Sequence, residues 1–236
     1  MIFHTAAEKI YYNAFFKNWH TSIKKIYPTA KFSLRFVGST TDTDVIEYCN
    51  THHIMLDLDP TTYQEIVDKF KVTGNHANGY YAMSRWISIP ILDESVFVTD
   101  VDVIATNTPT FSIDNSLKKK PWLTVSKRKA PDRTLKLMAI CLRKDLCERV
   151  RDRAVSLLKD SPLIWSLDLQ IQKYLTDNFE YNDYVLLGEV TRSTKDTNSP
   201  FGYASSSPVA INGVGYAGGI DSKIARYKLA KSNGIF

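Results

Sequence analysis

Ser95-Val96-Phe97-Val98-Thr99-Asp100-Val101-Asp102-Val103-Ile104-Ala105 is the stretch whose reading decides the fold. Apolar and β-favouring residues run without alternation up to Thr99, the pattern of a central strand covered on both faces. Two carboxylates one residue apart then break the run, and the apolar pattern resumes behind them. Burying unpaired carboxylates is costly. A hard divalent cation such as Mn²⁺ or Mg²⁺ removes that cost, because it takes carboxylate oxygens and keeps positions open for phosphate oxygens. Ligands of open α/β sheets bind beyond the carboxyl ends of the strands, which is where Asp100 and Asp102 fall. The stretch therefore predicts two metal ligands, Asp100 and Asp102, at the end of a buried central strand.

Asp-x-Asp occurs three times in the chain, so spacing alone does not select the site. Asp42-Thr43-Asp44 follows Gly38-Ser39-Thr40-Thr41 and reads as a turn entering a helix cap. Asp57-Leu58-Asp59 follows Ile54-Met55-Leu56 and precedes Pro60. It can also end a strand, and is the second candidate.

The chain has 236 residues, 44% hydrophobic and 23% charged, with ten Gly and nine Pro. These values fit one ordinary α/β domain over 1–236 rather than a disordered or fibrous chain. The amino terminus lacks a basic start followed by a long apolar core, and no apolar run approaches the roughly 18 residues of a membrane helix. A cytoplasmic protein is expected. Cys49, Cys141 and Cys147 have no metal-ligand spacing and read as plain thiols. The net charge of +5 is unevenly placed, with thirteen Lys and Arg between Lys118 and Arg153. That cluster is either a solvated face or a surface that steers an anionic partner, a lipid surface included, which would make the protein peripheral at a membrane. Within it, Lys118 to Arg133 reads as a candidate acceptor-side surface. No nucleic-acid-binding motif accompanies it.

Along the chain, Ile2–Thr5 suits a first strand. From Ala6 a helical period carries Tyr11, Phe15, Trp19, Ile23 and Ile26 toward Pro28. Lys31–Val37 reads as a strand, 42–52 as a helix, Ile54–Leu56 as a strand and Thr61–Phe70 as a helix, an order that predicts a parallel sheet. Tyr80–Leu92 is a mostly apolar helix carrying one charge, Arg85. Arg85 would either snorkel or pair, or it would point its planar fork at a diphosphate or a carboxylate. Trp122–Ser126 and Leu135–Leu142 are neighbouring strands, Lys144–Leu158 a helix, Trp165–Leu175 a helix with Asp168 at its start, Tyr184–Val190 a strand, and Asp221–Lys231 a closing helix. A Ser/Gly-rich loop spans 192–219.

The segment Tyr80–Phe111, with Arg85, Asp93-Glu94 and Val96–Asp102 in order, resembles the glycosyltransferase A fold. It is most similar to the retaining group that includes glycogenin and the bacterial lipopolysaccharide galactosyltransferases. Leu137–Leu142 and Trp165-Ser166-Leu167-Asp168-Leu169-Gln170 are weaker echoes of the same group. The resemblance implies a Rossmann-like, mostly parallel sheet flanked by helices, with residues 1–105 as the nucleotide-sugar-binding half and 106–236 as the acceptor-side half. It implies that Asp100 and Asp102 hold Mn²⁺ or Mg²⁺ and, with Val101 and Arg85, meet the donor diphosphate. His4, Thr5 and Ala6 would face the base and ribose, and Asp168, with Arg85, would act catalytically on the transferred sugar. His4 is equally well read as a residue capped at the edge of the core. The group's carboxy-terminal metal-binding His is absent, since no His follows His76; Asn212, Asp221 or water would replace it. Leu167 stands where the group has Gln.

The function expected is metal-dependent transfer of a sugar from a nucleoside-diphosphate donor to a glycan, lipid or protein acceptor; retention is implied by the resemblance alone, and the residues leave inversion open. The alternatives are a non-catalytic glycan- or anion-binding module and a sugar-nucleotide nucleotidyltransferase. The last lacks the Gly-rich, basic amino-terminal loop it would need.

Overall fold

Apolar runs become strands and periodic stretches become helices in the expected order in the computed structural model, which describes residues 1–103, 105, 113–126, 137–185 and 220–232. Strand β1 spans Ile2–Glu8, longer than the apolar start suggests. Ala6, Ala7 and Glu8 pair in register with Arg35, Phe36 and Val37 of β2 (Lys31–Val37), and this ladder wins over the helical pattern that begins at Ala6. The helical segment therefore starts later, as α1 (Lys9–Tyr11), a π-helical turn (Tyr12–Phe16) and α2 (Lys17–Ile26). Next come α3 (Thr43–Thr51), β3 (Met55–Asp59) and α4 (Tyr63–Phe70), the last opened by a capping box between Thr62 and Glu65.

Helix α5 (Asn78–Ile87) stops five residues short of Leu92, as expected where Pro90 lacks an N–H and disfavours helix in the residue before it. Strand β4 (Val96–Thr99) is the quoted apolar run. It is followed by α6 (Ile113–Lys119), β5 (Trp122–Ser126), β6 (Leu137–Leu142) and α7 (Lys144–Asp160). Helix α8 (Leu169–Asn178) begins four residues after Trp165, because Ile164 to Asp168 form a tighter turn first. Strand β7 (Tyr181–Val185) starts three residues before the expected Tyr184, and α9 (Ile220–Ser232) closes the described chain. The loop 192–219, Asn107–Thr110 and Lys127–Lys136 lie outside the described residues.

The strands form one sheet in the order β3-β2-β1-β4-β6-β5-β7. Strands β1 to β4 run parallel, β6 runs antiparallel to both β4 and β5, and β7 is parallel to β5. The result is a mostly parallel sheet, flanked by helices, in which β4 is central. Phe97 packs on one side with Trp19, Ile23, Val45, Leu117 and Tyr227, whereas Val96 and Val98 pack on the other with Met83, Trp86, Val150 and Ile171. Burial on both faces is what the unbroken apolar run encodes. Cys49, Cys141 and Cys147 are buried and free. No described helix is long and apolar enough to cross a membrane.

Candidate active site

The end of β4 is held from two sides. The Thr5 hydroxyl donates to the Thr99 carbonyl at 2.9 Å, and the Trp19 indole N–H donates to the Thr99 hydroxyl at 2.7 Å. Beyond Thr99 the chain turns, with the Val103 N–H on the Asp100 carbonyl at 3.3 Å. Val101 and Val103 are buried, 5% and 1% exposed. The turn is thus pinned by its apolar residues while its carboxylates are left to find charged partners.

Each finds a different one. The Asp100 carboxylate pairs with the Arg85 guanidinium, whose other arm, Nη2, reaches Asp168 at 2.6 Å. Asp102 is nearly inaccessible and accepts from Lys223 Nζ, on α9, at 2.8 Å. Lys223 also lies 5.3 Å from the centre of the Tyr11 ring. The Asp102 charge, working against burial, holds the Lys223 ammonium well above the ordinary lysine range. Among the described residues three carboxylates thus meet two cations here, one negative charge in excess.

Arg85 is fixed from behind by His4. The fully buried His4 ring donates from Nε2 to the Arg85 carbonyl at 2.9 Å and accepts at Nδ1 from the Ser33 hydroxyl at 3.0 Å. A carbonyl can only accept, so the tautomer follows from the partners. Nε2 also lies 3.2 Å from Ser88 Oγ, which itself donates to the Ser84 carbonyl at 2.6 Å. Burial pushes the His4 pKa down to about 4, so the ring is neutral. Ala6 is half-buried. At the end of β1, burial raises the Glu8 carboxyl above its ordinary range.

The structure brings Arg85, Asp100, Asp102 and Asp168 together at the carboxyl end of β4, with Thr5 bracing the strand beneath them. His4 and Val101 face inward, Asp221 sits exposed in the first turn of α9, and Asn212 lies outside the described residues. Lys223 was not legible as a partner of Asp102, which lies 121 residues away in sequence. Its one sequence signal is a position near the Gly-rich loop. The other two Asp-x-Asp pairs have cations of their own. Asp42 takes the N-cap position of α3, as expected, but its side chain makes no capping hydrogen bond; Lys9 instead bonds Asp42 and Asp44 at 2.9 and 2.6 Å. Arg35 holds Asp57 and Asp59 at 2.6 and 2.9 Å. Among the basic cluster, Lys120 pairs with Glu180, Arg143 with Asp145 and Lys144 with Asp93.

A divalent cation suits the chemistry of the Asp100/Asp102 pair. The ion pairs among the described residues engage one oxygen of each carboxylate, Oδ1 of Asp100 and Oδ2 of Asp102, and those residues carry excess negative charge. No group of three or more His, Cys, Asp or Glu able to hold a metal occurs among the described residues. A cation here would therefore rely on solvent or donor oxygens for the rest of its shell.

Solved structures share this architecture. LgtC, a galactosyltransferase in complex with donor and acceptor sugar analogues, aligns over 100% of both chains at 13% identity and a TM-score of 0.53. An active-site mutant of LgtC aligns over 98% of this chain and 96% of that one at 15% identity and a TM-score of 0.55. The chain has the glycosyltransferase A fold. TarS of S. aureus in complex with UDP shares that fold over 88% of this chain and 61% of its own, at 14% identity and a TM-score of 0.50. The chain spans 44% of the length of the glycosyltransferase GlyE of Streptococcus pneumoniae, at 12% identity and a TM-score of 0.46. No protein-family profile and no curated protein sequence matches the chain.

Proposed function

We propose that the protein is a Mn²⁺- or Mg²⁺-dependent glycosyltransferase that moves a sugar from a nucleoside-diphosphate donor to an acceptor hydroxyl with retention of configuration. The observation that carries this reading is the Asp100–Arg85–Asp168 bridge at the carboxyl end of the central strand. Ligands of open α/β sheets bind there. LgtC is solved with donor and acceptor sugar analogues and TarS with UDP, in support.

Asp100 and Asp102 would hold the cation, which when bound neutralises charge on the departing diphosphate. Arg85 aligns Asp100 with Asp168 and, with Asp100 holding a cation, would offer one arm of its fork to a phosphate oxygen. Asp168 would bind hydroxyls of the transferred sugar and stabilise positive charge that develops as the glycosidic bond breaks. Thr5 and Ala6 would lie under the base and ribose, with His4 behind them locking Arg85. The acceptor would be a glycan, a lipid or a protein, and the basic side chains from Lys118 onward suit an anionic one.

Calorimetric titration of UDP, with and without Mn²⁺, tests the reading, and NMR of the product anomer tests retention. Mn²⁺-dependent binding is expected; binding indifferent to Mn²⁺ would favour the second reading, a non-catalytic anion-binding module. That reading draws on Arg85 and Lys223, which already neutralise Asp100 and Asp102 without a metal.

A further inference from the structure

Trp165 stands apart from the other tryptophans. Trp19, Trp86 and Trp122 are 0%, 2% and 0% exposed, whereas Trp165 is 62% and its neighbour Leu169 40% exposed. Single apolar side chains in water are ordinary on protein surfaces; the setting gives this one its meaning. The segment is wound by bonds three residues back: Leu167 to Ile164, Leu169 to Ser166 and Gln170 to Leu167 at 3.0 Å, and Ile171 to Asp168 at 3.1 Å. In such a winding residues three apart eclipse, so Trp165 shares a face with Asp168, and Leu169 adjoins them.

That face is rigidly mounted. Leu163 and Leu167 anchor it in the core at 2% and 3% exposure. Gly79 of α5 approaches so closely that a Cβ there would lie 2.2 Å from the Ile164 carbonyl oxygen. Helix α5 also carries Arg85, which holds Asp168 at 2.6 Å. An exposed indole is thus carried on this turn three residues before Asp168, the carboxylate that Arg85 holds.

We propose that Trp165, flanked by Leu169, is the platform on which the acceptor sugar lies, the apolar C–H face of a pyranose on the indole and its hydroxyls toward Asp168 and Arg85. This rests on the glycosyltransferase reading above. An apolar plate edged by ionised hydrogen-bonding groups matches the two characters of a sugar ring. A purely aliphatic partner would cover the polar edge without satisfying it, at a cost. Asp168, 14% exposed, would turn to the donor across Arg85, and the far more exposed Trp165 would meet the acceptor.

Because the other three tryptophans are buried, iodide quenching of tryptophan fluorescence reports chiefly on Trp165. We would titrate lactose, maltose, cellobiose and N-acetylglucosamine into the full chain, with and without UDP and Mn²⁺. At least one sugar should lower the quenching constant. Calorimetric affinity for that sugar should fall about tenfold in Trp165→Ala, the scale of one lost aromatic contact, and recover in Trp165→Tyr, with UDP affinity unchanged in both. Protection by none of the four sugars overturns the platform, and so does protection by phosphatidylcholine–phosphatidylglycerol vesicles instead, which would make the ring a membrane contact. Sugar protection without any UDP binding leaves the platform standing and removes the enzymatic reading.

Discussion

Asp57/Asp59 and Asp100/Asp102 share a spacing and a place, the carboxyl end of a parallel strand, yet they are neutralised in opposite ways. At β3 one guanidinium, Arg35, sits directly across the ladder from Asp57 and spans both carboxylates. The Tyr80 hydroxyl at 2.7 Å and the Thr61 hydroxyl at 2.6 Å complete the shell of Asp59. Burial works to raise the Asp59 carboxyl, but the hydrogen bonds from Thr61 and Tyr80, with the Arg35 charge, outweigh it and hold it below its ordinary range. At β4 no adjacent strand offers a cation. Arg85 comes from α5 and Lys223 from α9, each taking one carboxylate, and Arg85 is shared with Asp168. A pair closed by its neighbouring strand is a staple; a pair served by two separate helices can exchange its partners for a ligand.

The sharpest way to break this comparison is to remove one carboxylate from each pair. Asp102→Asn should abolish Mn²⁺-dependent UDP binding in calorimetry, whereas Asp59→Asn should leave the affinity of the folded protein intact. Unchanged affinity in the first variant would sink the assignment of the metal to β4. Next in size, Asp168→Asn should keep UDP and Mn²⁺ binding while slowing transfer roughly a hundredfold, in the range for lost electrostatic stabilisation. Full turnover, with the circular dichroism unchanged, would return Asp168 to a purely structural pairing with Arg85.

Removing the cation instead of the carboxylate sharpens the same contrast. Arg35→Met leaves the buried Asp59 without its counter-charge and should cost about 2 kcal/mol in urea unfolding, discounted because Asp57 and part of Arg35 reach solvent. UDP affinity should not move; if it does, β3 belongs to the binding site.

The smallest effect concerns pH. Burial pushes both His4 and His20 down to about 4. An unfolded histidine titrates near 6.5, so below that pH the unfolded chain takes up protons the native state refuses. Stability is therefore complete above about pH 6.5 and is lost as pH falls toward 4, with His4 alone giving away about 1 kcal/mol between roughly pH 7 and 5.5. Thermal melts across that range should show the loss, and His4→Gln should remove the His4 share of it while leaving that of His20. A slope no smaller in the variant than in the parent would mean that His4 is not held in the fold as a neutral ring.

What the sequence disclosed follows the reach of each interaction. The run Val96–Thr99 and the carboxylates behind it are local, and so were legible. Asp168 visibly lacked a partner in its own helix start, and Arg85 visibly lacked one in its apolar helix, but only the packing of α5 against that turn joins them, 83 residues apart. Lys223 looks like any basic residue of a closing helix. His4 reads the same whether it turns outward to a nucleotide or inward to Ser33 and Arg85, because strand alternation cannot say which face of a two-sided sheet ends in a cleft. The helix expected from Ala6 failed because periodicity is blind to the competing ladder with β2.

The π-helical turn at Tyr12–Phe16 makes this end of the molecule sensitive to chain length more than to side-chain identity. Such a turn holds one residue beyond the α-helical count, and each helical residue turns the chain by about 100°. Tyr12, Phe15 and Phe16 in the turn, and Trp19 and Ile23 beyond it, all point into the core. A one-residue deletion there would leave Trp19 on Thr99 and swing Tyr11 away from Lys223, changing the neighbourhood of Asp102 without altering any residue that touches it. Insertions and deletions in this turn reach Asp102 by a route that no substitution within it can take.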